Sequence, residues 1–155
     1  GSTGPTGVVG PVNMMLERNL NLTNVAANTV LPLNSVLVNN GGSFITFNAG
    51  SGSVTLLNGF VYAVSYSYSV IPVTPPGNIT VKLQLDTGSG PTNIPGSGAT
   101  LDAVNNIVNI SGTILVDLTG ASNPGTITMF NLGGANTFVF FSNTSAYKMS
   151  IIKIS

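Results

Sequence analysis

The chain has 155 residues, the size of one compact domain, and only 5% of them are charged, against about 25% in an ordinary soluble protein. Four acids (Glu17, Asp86, Asp102, Asp117) balance four bases (Arg18, Lys82, Lys148, Lys153) to a formal net charge of zero, and there is no His, Cys or Trp. The usual zinc ligands and most acid–base and nucleophilic machinery are therefore missing, and four scattered cations cannot form a stripe that neutralises phosphates. The composition points away from an enzyme, a metal site, a cofactor and a nucleic-acid partner.

Neutral polar residues take the place of charge: 19 Asn, 17 Thr, 16 Ser and 19 Gly stand beside 43% hydrophobic residues. A mean hydropathy of +0.42 is too high for a disordered chain. Yet the longest apolar stretches, such as Phe138-Val139-Phe140-Phe141, fall far short of the roughly 20 residues that span a bilayer, so no membrane insertion is expected. With no initiating Met and no signal-peptide pattern, the chain reads as an excised fragment. Near-zero net charge promotes self-association, which points to apolar faces hidden in an oligomer. Two readings of this surface stand side by side: compositional drift without selection, or a durable extracellular surface that owes nothing to disulfides.

The first twelve residues, GSTGPTGVVGPV, place Gly at 1, 4, 7 and 10, with Pro5 and Pro11 each directly after a Gly. This is the Gly-X-Y period of collagen, in which only Gly fits at the axis of three polyproline-like strands. A flexible linker has the same composition but not the period. The period stops at Asn13, so the boundaries expected are 1–12 for the end of a collagen-like stalk and 13–155 for a head domain.

Beyond Asn13 the pattern is almost all strand. Residues 14–22 read as an edge strand. Shorter strands are expected at 30–38, 43–48 and 53–57. FVYAVSYSYSV (60–70) alternates strictly, with Phe60, Tyr62, Val64, Tyr66, Tyr68 and Val70 on one face and small residues on the other. That small-residue face suggests close approach of another layer or a neighbouring subunit. In 79–85, Ile79, Val81, Leu83 and Leu85 point inward. In 107–118, Val108, Ile110, Ile114, Val116 and Leu118 share a face, with Gly112 read as a bulge. Further strands are expected at 126–132, 137–142 and 146–154. Turn clusters such as Asn58-Gly59, Pro75-Pro76-Gly77 and Asn123-Pro124-Gly125 recur every eight to twelve residues, the mark of an all-β sandwich or barrel.

The stretches GSTGPTGVVGPV, GGSFITF, SVTLLNGFVYAVSYSYSV, NISGTILVDLTG and AYKMSIIKIS together resemble the carboxy-terminal domains of the BclA-type collagen-like glycoproteins of the bacterial spore exosporium. The resemblance implies the jelly roll of the tumour-necrosis-factor and complement globular-head superfamily: all-β, an antiparallel sandwich of about ten strands. It further implies a homotrimer that starts and registers the collagen-like triple helix at an extracellular spore surface. A trimerising head would supply the local concentration that short Gly-X-Y segments need. A glycan- or protein-binding adhesin module, and the head of a phage tail fibre, are the alternatives, with host or surface glycans and proteins as the added partners.

Candidate sites follow from both lines. The aromatic residues exceed what one small core needs, and aromatics are enriched in interface cores. Phe60, Tyr62 and Val64 read as core, whereas Tyr66, Tyr68, Tyr147, Phe138 and Phe140 are the trimer-interface candidates. By resemblance, Thr6 in Gly4-Pro5-Thr6, and more weakly Thr3, are candidates for O-glycosylation. The sequons at Asn21, Asn78, Asn109 and Asn143 arise by chance in so Asn-, Ser- and Thr-rich a chain. Asp86 opens Asp-Thr-Gly, but no second copy supplies the paired carboxylate of an aspartic protease, so it reads as a turn residue.

Overall fold

The computed structural model describes residues 10–20, 22–72, 77–103, 108–133, 138–140 and 146–155. Period-2 alternation builds two antiparallel sheets of seven strands each, packed face to face. The first comprises β1 (Asn13–Arg18), β2 (Leu22–Val25), β4 (Ser35–Asn39), β7 (Val61–Pro72), β11 (Val108–Asp117), β13 (Phe138–Phe140) and β14 (Tyr147–Lys153). The second comprises β3 (Thr29–Leu31), β5 (Ile45–Asn48), β6 (Ser53–Leu56), β8 (Gly77–Asp86), β9 (Thr92–Asn93), β10 (Ala99–Ala103) and β12 (Gly125–Asn131). The fold is the all-β jelly-roll sandwich expected from the sequence.

β7 organises the first sheet. It pairs along most of its length with β14 on one side and β11 on the other, and its last residues meet β13. Tyr62, Val64, Tyr66, Tyr68 and Val70 turn inward and are buried, as the alternation requires. Met14 and Leu16 of β1, Val116 of β11 and Met149 and Ile151 of β14 join them. The second sheet answers with Ile45, Val54, Leu56, Val81, Leu83, Ile127 and Met129. At roughly 1.5–3 kcal/mol per fully buried side chain, this layer is the main stabilising term of the fold.

Three expectations are corrected. The 14–22 strand is not an edge: β1 ends at Arg18 and lies between β14 and β4. The 30–38 strand is two strands in different sheets, because Pro32 has no N–H to continue a ladder. At this crossing Leu33 N donates to Gly52 O at 3.0 Å and Asn34 N to Glu17 O at 3.1 Å. Gly112 is not a bulge, since the β11–β7 register runs unbroken from Val108↔Val70 to Asp117↔Val61. It is Gly because the Tyr66 ring lies over it; a Cβ there would come within 2.5 Å of Tyr66 Oη.

The chain enters at one end of the sandwich. Gly10 to Val12 lead into β1, and the carboxy terminus, the start of β7 and the end of β11 lie at the same end.

Candidate functional site

The tyrosines form a chain of tilted rings inside the sandwich, Tyr66 to Tyr68 at 5.9 Å and Tyr68 to Tyr147 at 6.3 Å between centroids. Each hydroxyl reaches a backbone carbonyl. Tyr62 Oη donates to Leu57 O (2.8 Å), Tyr66 Oη to Gly96 O (3.3 Å), Tyr68 Oη to Lys82 O (3.3 Å) and Tyr147 Oη to Pro32 O (2.5 Å). Burial pushes the phenols of Tyr68 and Tyr147 well above their ordinary value, because an ionised phenol would have to be desolvated. Tyr68 is 0%, Tyr147 1% and Tyr66 6% exposed within a single chain. The structure thus places these three interface candidates in the core, where their partners are already present. A charge introduced there would break one chain rather than separate two. The side chains of Phe138 and Phe140 lie outside the described residues, as do Thr3 and Thr6; the β13 backbone pairs with β2 and β7.

The free surface is the opposite face of the same strands, and register assembles it in rows. Next to the entry end, Ile154 and Asp117 flank Val61. One row on, Asn13, Ile152, Ala63 and Leu115 run across β1, β14, β7 and β11. Then come Val38, Met15, Ser150, Ser65 and Thr113, followed by Glu17, Lys148, Ser67 and Ser111. The face is therefore apolar toward the entry end and hydroxyl-rich away from it, with Ser65 and Thr113 hydrogen-bonded at 2.9 Å and Ser69 donating to Asn109 at 2.7 Å.

Leu115 is 66% and Ile152 49% exposed, and Met15, Val38 and Ile154 are exposed with them. Two shallow grooves cut the face. One of about 160 Å3 lies among Asn13, Met15, Val38, Ser150 and Ile152, and one of about 230 Å3 is bounded by Met15, Ser65, Ser67, Lys148 and Ser150. The alternation of 107–118 already sets Leu115 on the face opposite Ile114 and Val116, but the patch it forms with Ile152 and Met15 depends on the long-range register of β1, β14, β7 and β11.

The polar groups considered for chemistry are occupied locally. Asp86 Oδ1 accepts from Gly88 N at 2.7 Å and Gly90 N at 3.1 Å, as a turn residue does. Asp117 accepts from the Thr119 hydroxyl and amide, which holds its carboxyl below the usual carboxylate range. Among the described residues no three of His, Cys, Asp or Glu gather into a metal-binding group, and no helix is long and apolar enough to cross a membrane.

No protein-family model and no curated protein matches the chain in sequence. Its fold, in contrast, is shared with solved structures. Murine APRIL at pH 8.0 superposes with a TM-score of 0.69 at 10% identity, covering 93% of this chain and 99% of that one. Eiger TNF from S. frugiperda gives 0.66 at 10% identity, with 94% and 93% covered. The globular domain of the zebrafish complement 1qA protein gives 0.57 at 13% identity, with 89% and 94% covered. These likenesses establish a jelly roll of the TNF and complement globular-head type.

Proposed function

We propose that this domain is a structural, self-associating head: a homotrimer that gathers three Gly-X-Y segments and holds them in register at the end of a surface filament. The observation that carries the proposal is the outward face of the first sheet, with its exposed Leu115, Ile152, Met15 and Val38 beside the point where the chain enters. Contiguous apolar surface of this kind marks an interaction site. Its layout favours a ring over a twofold pair. Leu115 projects from β11 on one side of β7, while the groove around Met15, Val38 and Ile152 lies on the other side, toward β4. A knob on one side and a depression on the other meet head to tail, and a heterologous contact of that kind closes when its rotation permits. The apolar row is also the part of the face nearest Gly10, where three converging stalks would need their heads closest together.

Within this reading the filament belongs to an extracellular surface, most specifically the exosporium of a bacterial spore, where the neutral polar exterior sets the adhesive character. Thr6 and Thr3 are then the positions at which the stalk would carry O-linked sugar. The test is the solution mass by light scattering after size exclusion. The parent chain is expected at three times 15.8 kDa, and the Leu115→Lys/Ile152→Lys variant at one times that mass with an unchanged β-sheet circular-dichroism spectrum. A monomeric parent, or a double variant that stays trimeric, overturns the assignment of this face.

A further inference from the structure

At the entry end an open depression of about 410 Å3 is lined by Gly10, Pro11, Val12, Asn40, Gly41, Gly42 and Phe44. This size lies within the range of ordinary ligand clefts, about 300–1,000 Å3. One wall is the chain's own last Gly-X-Y triplet. The other is a turn stripped of side chains: Gly41 is buried, and a Cβ there would fall 2.3 Å from Ile45 O, while Gly42 has φ +56°. Phe44 supplies the aromatic surface. Its ring is fixed edge-on to Phe60, with centroids 5.1 Å apart at 85°, and Lys153 Nζ sits 4.9 Å and 4.3 Å from the two ring centroids.

We infer that this depression seats the Gly-X-Y segment of a second copy of the chain as it converges on the stalk. The inference rests on the trimer reading and names the contact by which head and stalk are coupled. Three features select this occupant. A polyproline-type strand has no internal hydrogen bonds and docks on aromatic-lined grooves, where its preformed shape loses little entropy. In a Gly-X-Y helix the strands run side by side, so a groove bounded by one strand already offers the lateral face against which the next one lies. The sequence also places Pro5 and Pro11 in the segments that would converge there, and the described part of that segment, Gly10–Pro11, ends at the groove itself.

The chain has no Cys, so a single Val9→Cys substitution takes one nitroxide label. Labelled chain at natural isotope abundance is refolded with nitrogen-15-labelled parent chain, so that any paramagnetic broadening passes between copies. The expected result is loss of the Gly41, Gly42 and Phe44 amide signals in assemblies of threefold mass. Phe44→Leu in the isotope-labelled chain should keep the threefold mass yet recover the Gly41 and Gly42 signals. Threefold mass without broadening at these amides, or broadening indifferent to Phe44→Leu, overturns the groove assignment and leaves the trimer standing. A monomeric parent overturns both.

Discussion

A single methyl group at Gly112 tests the packing of the first sheet. A Cβ at this position would stand 2.5 Å from Tyr66 Oη, 2.8 Å from Cζ and 3.3 Å from Cε1, so either the ring swings away or β7 and β11 part. Overpacking of a core costs about 1–3 kcal/mol. A displaced ring also gives up the 3.3 Å bond from Tyr66 Oη to Gly96 O, a contact of this kind contributing about 1 kcal/mol. Against this, replacing a strand Gly by Ala returns about 0.5–1 kcal/mol. Gly112→Ala should therefore destabilise by about 1–3 kcal/mol, or about 2–4 °C in Tm per kcal/mol for a domain of this length. The assay is urea denaturation at one fixed protein concentration, because association adds its own stability. In a Tyr66→Leu background the ring is gone and the added methyl should cost nothing, giving a coupling energy of about 1–3 kcal/mol in the double-mutant cycle. A neutral or stabilised Gly112→Ala, or an equal loss in both backgrounds, would refute the reasoning.

Two further outcomes follow from buried polar groups. The Ser97 hydroxyl is fully buried, accepts from Leu83 N at 3.0 Å and lies 2.6 Å from Ile94 O. Ser97→Ala strands the Leu83 amide and should lower stability by about 1–3 kcal/mol; an unchanged urea midpoint would count against that bond. Tyr68 and Tyr147 hold their protons more tightly folded than unfolded, mainly through burial. Their contribution is complete below the unfolded value near 10 and is lost as pH rises above it. Urea midpoints should stay level up to about pH 10 and then fall, less steeply in Tyr68→Phe and Tyr147→Phe. A decline that begins at neutral pH, or one that ignores both substitutions, contradicts the burial argument.

The sheet content was legible because strict alternation leaves one reading for FVYAVSYSYSV, and β8, β11 and β12 follow the same rule. Alternation says which side chains share a face but not which face turns inward. An aromatic content beyond the needs of a small core marks Tyr66, Tyr68 and Tyr147 as interface candidates, whereas the structure buries all three and the serines opposite line the outer surface. The position of β1 between two neighbours was not legible either, because both partners are set by tertiary register, β4 by Met15↔Val38 and β14, at the far end of the chain, by Met14↔Ile151. The exposed face depends on that same long-range register. Met15, Ile152 and Leu115 are unremarkable where they stand in the chain and become a patch only when β1, β14, β7 and β11 are laid side by side.

The interior position of β1 has a mechanical consequence. Tension arriving through Gly10 would enter the domain at Val12 and run along the axis of a strand gripped on both flanks. Lys153 N bonds to Val12 O at 2.9 Å on one side, and Asn40 N to Asn13 O at 2.9 Å on the other. Antiparallel ladder bonds lie across the strand, so such a pull shears both ladders together instead of unzipping one bond after another from a free edge. The load is shared among many bonds before the first can give way.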